Sequence, residues 1–279
     1  VDARDKRGHD DAAGGRADEV AMSNGEVRYS RVGKIATVIF DRPAAHNAMT
    51  WQMYEQLDAA CARIRAEHDV RVAVFRGAGG KAFIAGTDIA QFQQFRSAED
   101  GLAYEEKMES YIDAVESLPV PTLAVIEGYA IGGGLAIAAA CDLRIATTGS
   151  RFGVPIARTL GNCLSMRNYA RLVAALGAPR AKRMLLLAEN LSAEEALAGG
   201  FVSEVLAPSE IDRRMGEIAD RLAGHAPITM RVTKEAIRRL LLASVPAGDD
   251  LARACYGSKD FRIGVEAFVA KRPPEWTGE

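Results

Sequence analysis

The stretch IEGYAIGGGLAIAAACD, residues 126–142, sets three consecutive glycines ahead of seven residues with no polar side chain. A helix that is apolar on every face has to be buried. The run before it, PTLAVIEG at residues 121–128, is β-branched and reads as a strand. Strand, glycine turn and buried helix therefore need further layers around them, which points to an α/β core. The glycines leave two readings open. The first N–H groups of a helix have no intrahelical partner and carry the positive end of its dipole. Glycine, lacking Cβ, lets such donors come close to a developing oxyanion. Alternatively, the glycines only let helix and strand pack closely.

Further elements support an α/β reading. KIATVIF (34–40), VRVAVFRG (70–77) and DLRIATT (142–148) read as strands, and FVSEVL (201–206) as a last one. Met53, Leu57, Cys61 and Ile64 recur at helical spacing, and a second helix is expected over residues 102–117. NYARLVAALG and PRAKRMLLLAE read as two more. In SAEEALAGG, Ser192 and Glu195 form a capping box and Gly199-Gly200 end the helix. From Pro208 onward three or four helices are expected. The division is a core over residues 26–207 and a helical region over 208–279. Residues 1–25 are rich in Asp, Arg, Gly and Ala without a period, and read as a disordered leader or vector-derived tail, with Met22 as a candidate start.

A formal net charge of −2 gives no electrostatic case for nucleic acid or an anionic membrane. The longest uncharged apolar stretch, residues 128–141, is too short and glycine-rich to span a bilayer. Cys61, Cys141, Cys163 and Cys255 lie far apart with no CxxC pair, which fits a reduced, cytoplasmic compartment and no zinc site. His9, His46, His68 and His225 show no metal-ligand spacing. GAGGKA at residues 77–82 formally matches a dinucleotide fingerprint, but no long helix follows it.

The two glycine loops are more specific as an ordered pair. GGKAFIAGTDI (79–89) is followed by PTLAVIEGYAIGGGLAIAAACDLRIAT and then by FGVP (152–155). With RP at Arg42, NAM ending at Met49, SAEEALAGGFVSEV, TKEAIRRL and AFVAKRPP, this order resembles the enoyl-CoA hydratase/isomerase (crotonase) superfamily over about residues 27–271. The resemblance implies a spiral of ββα units with a helical C-terminal lobe that builds trimers, often paired into hexamers. It implies an acyl-CoA substrate, with coenzyme A present only as part of that substrate and no resident cofactor or metal. Two backbone N–H groups, those of Thr87 and Gly133, would bind the thioester oxygen and stabilise an enolate. Ala85, Asp88 and Ile89 would line the adenine side of the loop, and Gly132 belongs to the same glycine cluster. Phe268 and Lys271 resemble the C-terminal residues that reach coenzyme A, often from a neighbouring subunit. Ala90 stands where many members carry lysine.

The departures from the family pattern are equally specific. Hydratases carry one glutamate three residues after the middle glycine, where this chain has Ala136. They carry a second after the proline of FG-x-P, where this chain has Ile156, or Ala157 if the alignment slips by one. Hydration needs an acid and a base, each contributing about 10²–10⁴-fold. Binding of the thioester is therefore expected more firmly than hydration, and the alternative is a non-catalytic thioester-binding or oligomer-forming protein. Arg158, Asn162 and Cys163, in IARTLGNCLSMRN, are the candidate replacements: Arg158 for a substrate carboxylate, Cys163 as a nucleophile without a histidine nearby. Surface pairing for Arg158 and plain burial for Cys163 remain the simpler readings. Glu109 and Tyr111 are expected on a helix surface, Glu127 buried at a subunit contact, His46 in a solvated loop and His225 in a structural position before a helix.

Overall fold

The computed structural model describes residues 24–279, so the expected leader falls almost wholly outside the described residues. In chain order the elements are β1 (Glu26–Val32), β2 (Ile35–Asp41), α1 (Trp51–Ala66), β3 (Val72–Gly77), β4 (Ala82–Ala85), α2 (Ala98–Glu116), β5 (Thr122–Ile126), β6 (Tyr129–Ile131), α3 (Gly133–Ala140), β7 (Leu143–Thr147) and β8 (Arg151–Gly153). There follow α4 (Ile156–Thr159), α5 (Met166–Leu176), α6 (Ala178–Leu186), β9 (Leu191–Ser192), α7 (Ala193–Ala198) and β10 (Glu204–Leu206). The chain closes with α8 (Ile211–Ala223), α9 (Pro227–Leu242), α10 (Asp249–Tyr256) and α11 (Lys259–Val269).

Six strands form one sheet in the order β1-β2-β3-β5-β7-β10, antiparallel only between β1 and β2. Alternation decides its two faces. Ala73, Phe75, Ala124 and Ile126 point into the main core with α1, α2 and α3. Val72, Val74, Leu123 and Val125 point the other way, onto Ile211, Ile218 and Ala219 of α8. Parallel strands covered on both faces read as continuous apolar runs, which is why VAVF and TLAVI show no polar alternation.

A second sheet runs β4-β6-β8-β9. Its strands are two to four residues long, so the sequence suggests loops there rather than strands. Likewise FVSEVL contributes only Glu204–Leu206 as strand. β4, β6 and β8 are parallel, with Ala85 opposite Ile131 and Ile131 opposite Gly153. The segments after these three strands therefore leave the sheet at the same end, as ligand-binding segments do in open α/β sheets. Those segments are Gly86-Thr87-Asp88, Gly132-Gly133 and Val154-Pro155-Ile156.

α2 starts four residues earlier than its apolar spacing suggests. Ser97 accepts from the Asp100 N–H, and the Asp100 carboxylate accepts from the Ser97 N–H at 2.9 Å. The expectation that Glu109 and Tyr111 lie on a helix surface is overturned, since both are buried. Tyr111 stacks on Tyr54 with ring centroids 5.3 Å apart. Glu109 shares the Arg171 guanidinium with Glu116, at 2.5 and 2.8 Å, joining α2 to α5. Glu127 pairs with Arg76 at 2.8 Å. His46 and His225 are exposed. The region from residue 208 holds four helices, and Lys234 of α9 ties them to the core through Asp142 at 2.7 Å. Among the described residues no helix is long and apolar enough to cross a membrane, and no group of three or more His, Cys, Asp or Glu is placed to hold a metal ion.

Candidate active site

Where the three segments converge there is a cavity of about 360 Å³. Ala85, Gly86, Thr87, Asp88 and Ile89 line it from the first segment, Gly132, Gly133 and Ala136 from the second, and Ile156 from the third. Met108 and Ile112 of α2 add apolar wall, and Phe268 of α11 stands at its edge, half-exposed.

Backbone bonding decides which N–H groups remain for a ligand. Met49 bridges Thr87 in parallel register, with the Met49 N–H on Gly86 O at 3.0 Å and the Asp88 N–H on Met49 O at 2.8 Å. This bridge uses the amides on either side of Thr87, and the Thr87 N–H faces away from Met49. Gly133 is the first residue of α3, and the first bond of that helix runs from the Ala136 N–H to Gly132 O at 3.1 Å. The Gly133 N–H thus has no partner inside the helix. The two residues are neighbours: a Cβ built on Gly133 would stand 3.0 Å from Thr87 Oγ1 and 2.6 Å from Tyr54 Oη.

The three glycines differ in their surroundings. Gly132 has φ +56°, ψ −120°, a backbone that a side chain would strain. A Cβ on Gly134 would meet Ile84 O at 2.2 Å, so this glycine serves close packing of helix on strand. Gly133 alone borders both Thr87 and the cavity.

The loop before the site is fixed by two buried polar side chains. Asn47 accepts from the Arg42 N–H and donates to Ala78 O and Ala82 O at 2.9 and 2.7 Å. Arg42 donates to Ala48 O and pairs with Asp88 at 3.1 Å, so the Asp88 carboxylate is held in an ion pair.

Two expected wall positions are filled by apolar groups. Ala136 and Ile156 line the cavity, whereas Ala157 is exposed and does not line it. Of the other candidates, Asn162 lines the cavity, and its Oδ1 is buried without a hydrogen-bond partner. Arg158 is exposed and Cys163 is half-buried, and neither is a lining residue. A hydrogen bond with Cys255 and burial push the Cys163 thiol up, against a nucleophilic thiolate. Lys271 is exposed and outside the lining, in a left-handed backbone with φ 51°.

Sequence reasoning missed Tyr54, Tyr104 and Glu105. Tyr54 is buried and its hydroxyl is 2.8 Å from Thr87 Oγ1. Burial raises the pKa of Tyr54 and Tyr104, keeping both phenols neutral. Glu105 is 7% exposed and lines the cavity one turn before Met108. Burial pushes its carboxyl up to about 7, partly offset by hydrogen bonds from Tyr256 and the Ser165 backbone. The available signal was an acid at position 105 in register with apolar Met108 and Ile112.

Residues 30–279 match the family model described as Enoyl-CoA hydratase/isomerase. A short-chain-enoyl-CoA hydratase of Clostridium acetobutylicum is 31% identical over 258 residues, covering 91% of this chain and 98% of that protein. The solved structure of an enoyl-CoA hydratase/carnithine racemase from Magnetospirillum magneticum superposes with TM-score 0.74 at 35% identity, covering 91% of this chain and 96% of the other. A methylmalonyl-CoA decarboxylase in complex with 2-nitronate-propionyl-CoA superposes with TM-score 0.84 at 26% identity, covering 91% and 99%. The ordered glycine segments, the fold and these likenesses agree: the chain belongs to the enoyl-CoA hydratase/isomerase family, the crotonase superfamily.

Proposed function

We propose that the protein binds an acyl-CoA thioester with its acyl chain in the cavity and stabilises the enolate through the Thr87 and Gly133 N–H groups, as a lyase or isomerase. The observation that carries this reading is the apposition of Gly133 and Thr87 at the cavity wall, each with a backbone donor not used by its own bridge or helix. Such donors act where charge develops, in a site from which water is excluded. The solved structure of a similar protein, a methylmalonyl-CoA decarboxylase, is a complex with 2-nitronate-propionyl-CoA. A nitronate is a planar anion of the enolate kind, which supports enolate chemistry on this fold.

Ordinary hydration of crotonyl-CoA is weak on this reading, because Ala136 and Ile156 offer no acid or base. Phe268 would flank the coenzyme A moiety, with Lys271 beyond it. Exposed Ile228 and Val232, one turn apart on α9, are apolar surface that a trimer or hexamer contact would cover.

The test is binding and turnover of crotonyl-CoA by the purified protein and by an Ala136→Glu/Ile156→Glu variant. Binding with little hydration by the wild type, and gained hydration in the variant, supports the reading. Hydration by the wild type at rates typical of good enzymes, or no binding of the thioester, contradicts it. Binding without turnover across a broad acyl-CoA panel would favour a protein that holds thioesters without transforming them.

A further inference from the structure

Two carboxyl groups, Asp88 and Glu105, are among the described residues lining the cavity. Asp88 is held in its ion pair with Arg42, on the segment that carries Thr87. Glu105 lies on α2, whose Met108 and Ile112 form apolar wall, so it borders the cavity beside apolar side chains. The Tyr256 hydroxyl, on α10, donates to Glu105 Oε1 at 2.5 Å. α2 and α10 are in extensive contact, so this pair is held by packing rather than by a mobile loop. The groups that act on Glu105, or that it acts on, are Tyr256 and Cys255 of α10, Cys163 and the Ser165 N–H before α5, Tyr169 of α5, Tyr54 of α1, and Tyr104 and Glu109 of its own helix.

We propose that Glu105, oriented by Tyr256, is the acid–base residue of this cavity, moving a proton to and from the acyl chain whose thioester oxygen sits between Thr87 and Gly133. This rests on the acyl-CoA reading above and assigns its missing proton-transfer group. The ionised carboxylate takes a proton from Cα. The C–H electron pair becomes the carbon–carbon double bond of the enolate, and the former C=O pair moves to the oxygen held by the two N–H groups. Return of that proton to Cα restores the thioester. Its return to Cγ of a β,γ-unsaturated chain completes a double-bond shift, with no water consumed and no oxidant needed. The substrate class is therefore an apolar acyl-CoA with an acidic Cα–H. A carboxyl poised near neutrality is suited to both halves of the transfer. The Tyr256 bond fixes one oxygen, making Tyr256 a positioning residue.

The experiment follows exchange of the Cα hydrogens of butanoyl-CoA in deuterated water by NMR, with binding of the same thioester measured by calorimetry. The proteins are the wild type, Glu105→Gln and Tyr256→Phe. The expected result is exchange by the wild type and a fall of about 100-fold or more in Glu105→Gln, with thioester affinity unchanged within about threefold. Tyr256→Phe keeps the carboxyl and shifts the pH midpoint of exchange upward, because the lost hydrogen bond favoured the ionised form. A merely structural Glu105 would not move that midpoint. Exchange in Glu105→Gln within about tenfold of wild type overturns the proposal, as does a wild type that binds butanoyl-CoA without exchanging it. A wild type that fails to bind butanoyl-CoA overturns the acyl-CoA reading itself, and the role of Glu105 falls with it.

Discussion

Thr87 Oγ1 lies 2.8 Å from the hydroxyl of Tyr54, so the side chain of Thr87 is engaged by the core while its backbone N–H is left for the cavity. The division predicts an asymmetry between two substitutions. Thr87→Val removes the side-chain bond and keeps the N–H. It is expected to cost about 1 kcal/mol of stability and to leave acyl-CoA affinity within a few-fold of wild type. Denaturant unfolding and calorimetric titration check both.

Gly133→Ala acts on the other donor. Its new Cβ would press on Tyr54 Oη at 2.6 Å and Thr87 Oγ1 at 3.0 Å, displacing the start of α3 from the thioester oxygen. Enolate-dependent rates are expected to fall by roughly 10²–10³, the scale of losing one oxyanion donor. The deuterium-exchange rate of a bound acyl-CoA reads this directly.

The Glu109–Arg171–Glu116 triad joins α2, which carries the cavity wall, to α5. Arg171 is buried, so Arg171→Ala leaves two buried carboxylates without their shared cation. The expected loss is about 3–5 kcal/mol, seen as a lower denaturant midpoint. Arg214→Ala, whose pair with Glu204 is partly exposed, is expected to shift that midpoint far less.

Stability should also report on Glu105. Its folded carboxyl is raised from 4.5 to about 7, chiefly by burial. The native state therefore holds more protons than the unfolded chain between those values, and stability falls as pH rises through that window. Below the unfolded value the contribution is neutral, and above about 7 the full penalty, about 3 kcal/mol, is present. Glu105→Gln lacks this slope. Unfolding curves from pH 4 to 8 should show the variant gaining on the wild type as pH rises.

Much of the site was legible because backbone, not side chains, builds it. GGK-x₃-AGTD and GYAIGGG carry the family resemblance, and that resemblance is what pointed to Thr87 and Gly133. The cavity floor was harder. β4, β6 and β8 are too short to show a period, yet their parallel register brings the three segments together. Glu105 and Tyr256 are 151 residues apart in sequence and joined only by packing of α2 on α10. Glu109 was read as a surface residue because its partner, Arg171, is 62 residues distant. Local periodicity cannot see a buried ion pair assembled from two helices, since each charge looks solvated in its own window.

The central claim is that the Thr87 and Gly133 amides hold a thioester oxygen. Its most direct measurement is the carbonyl stretch of carbon-13-labelled butanoyl-CoA bound to the protein, by isotope-edited infrared difference spectroscopy. Two backbone donors polarise the carbonyl, so the band is expected to move to lower frequency on binding and to return toward its free position in Gly133→Ala. A bound thioester whose carbonyl frequency matches that in water, and is insensitive to Gly133→Ala, would contradict the account.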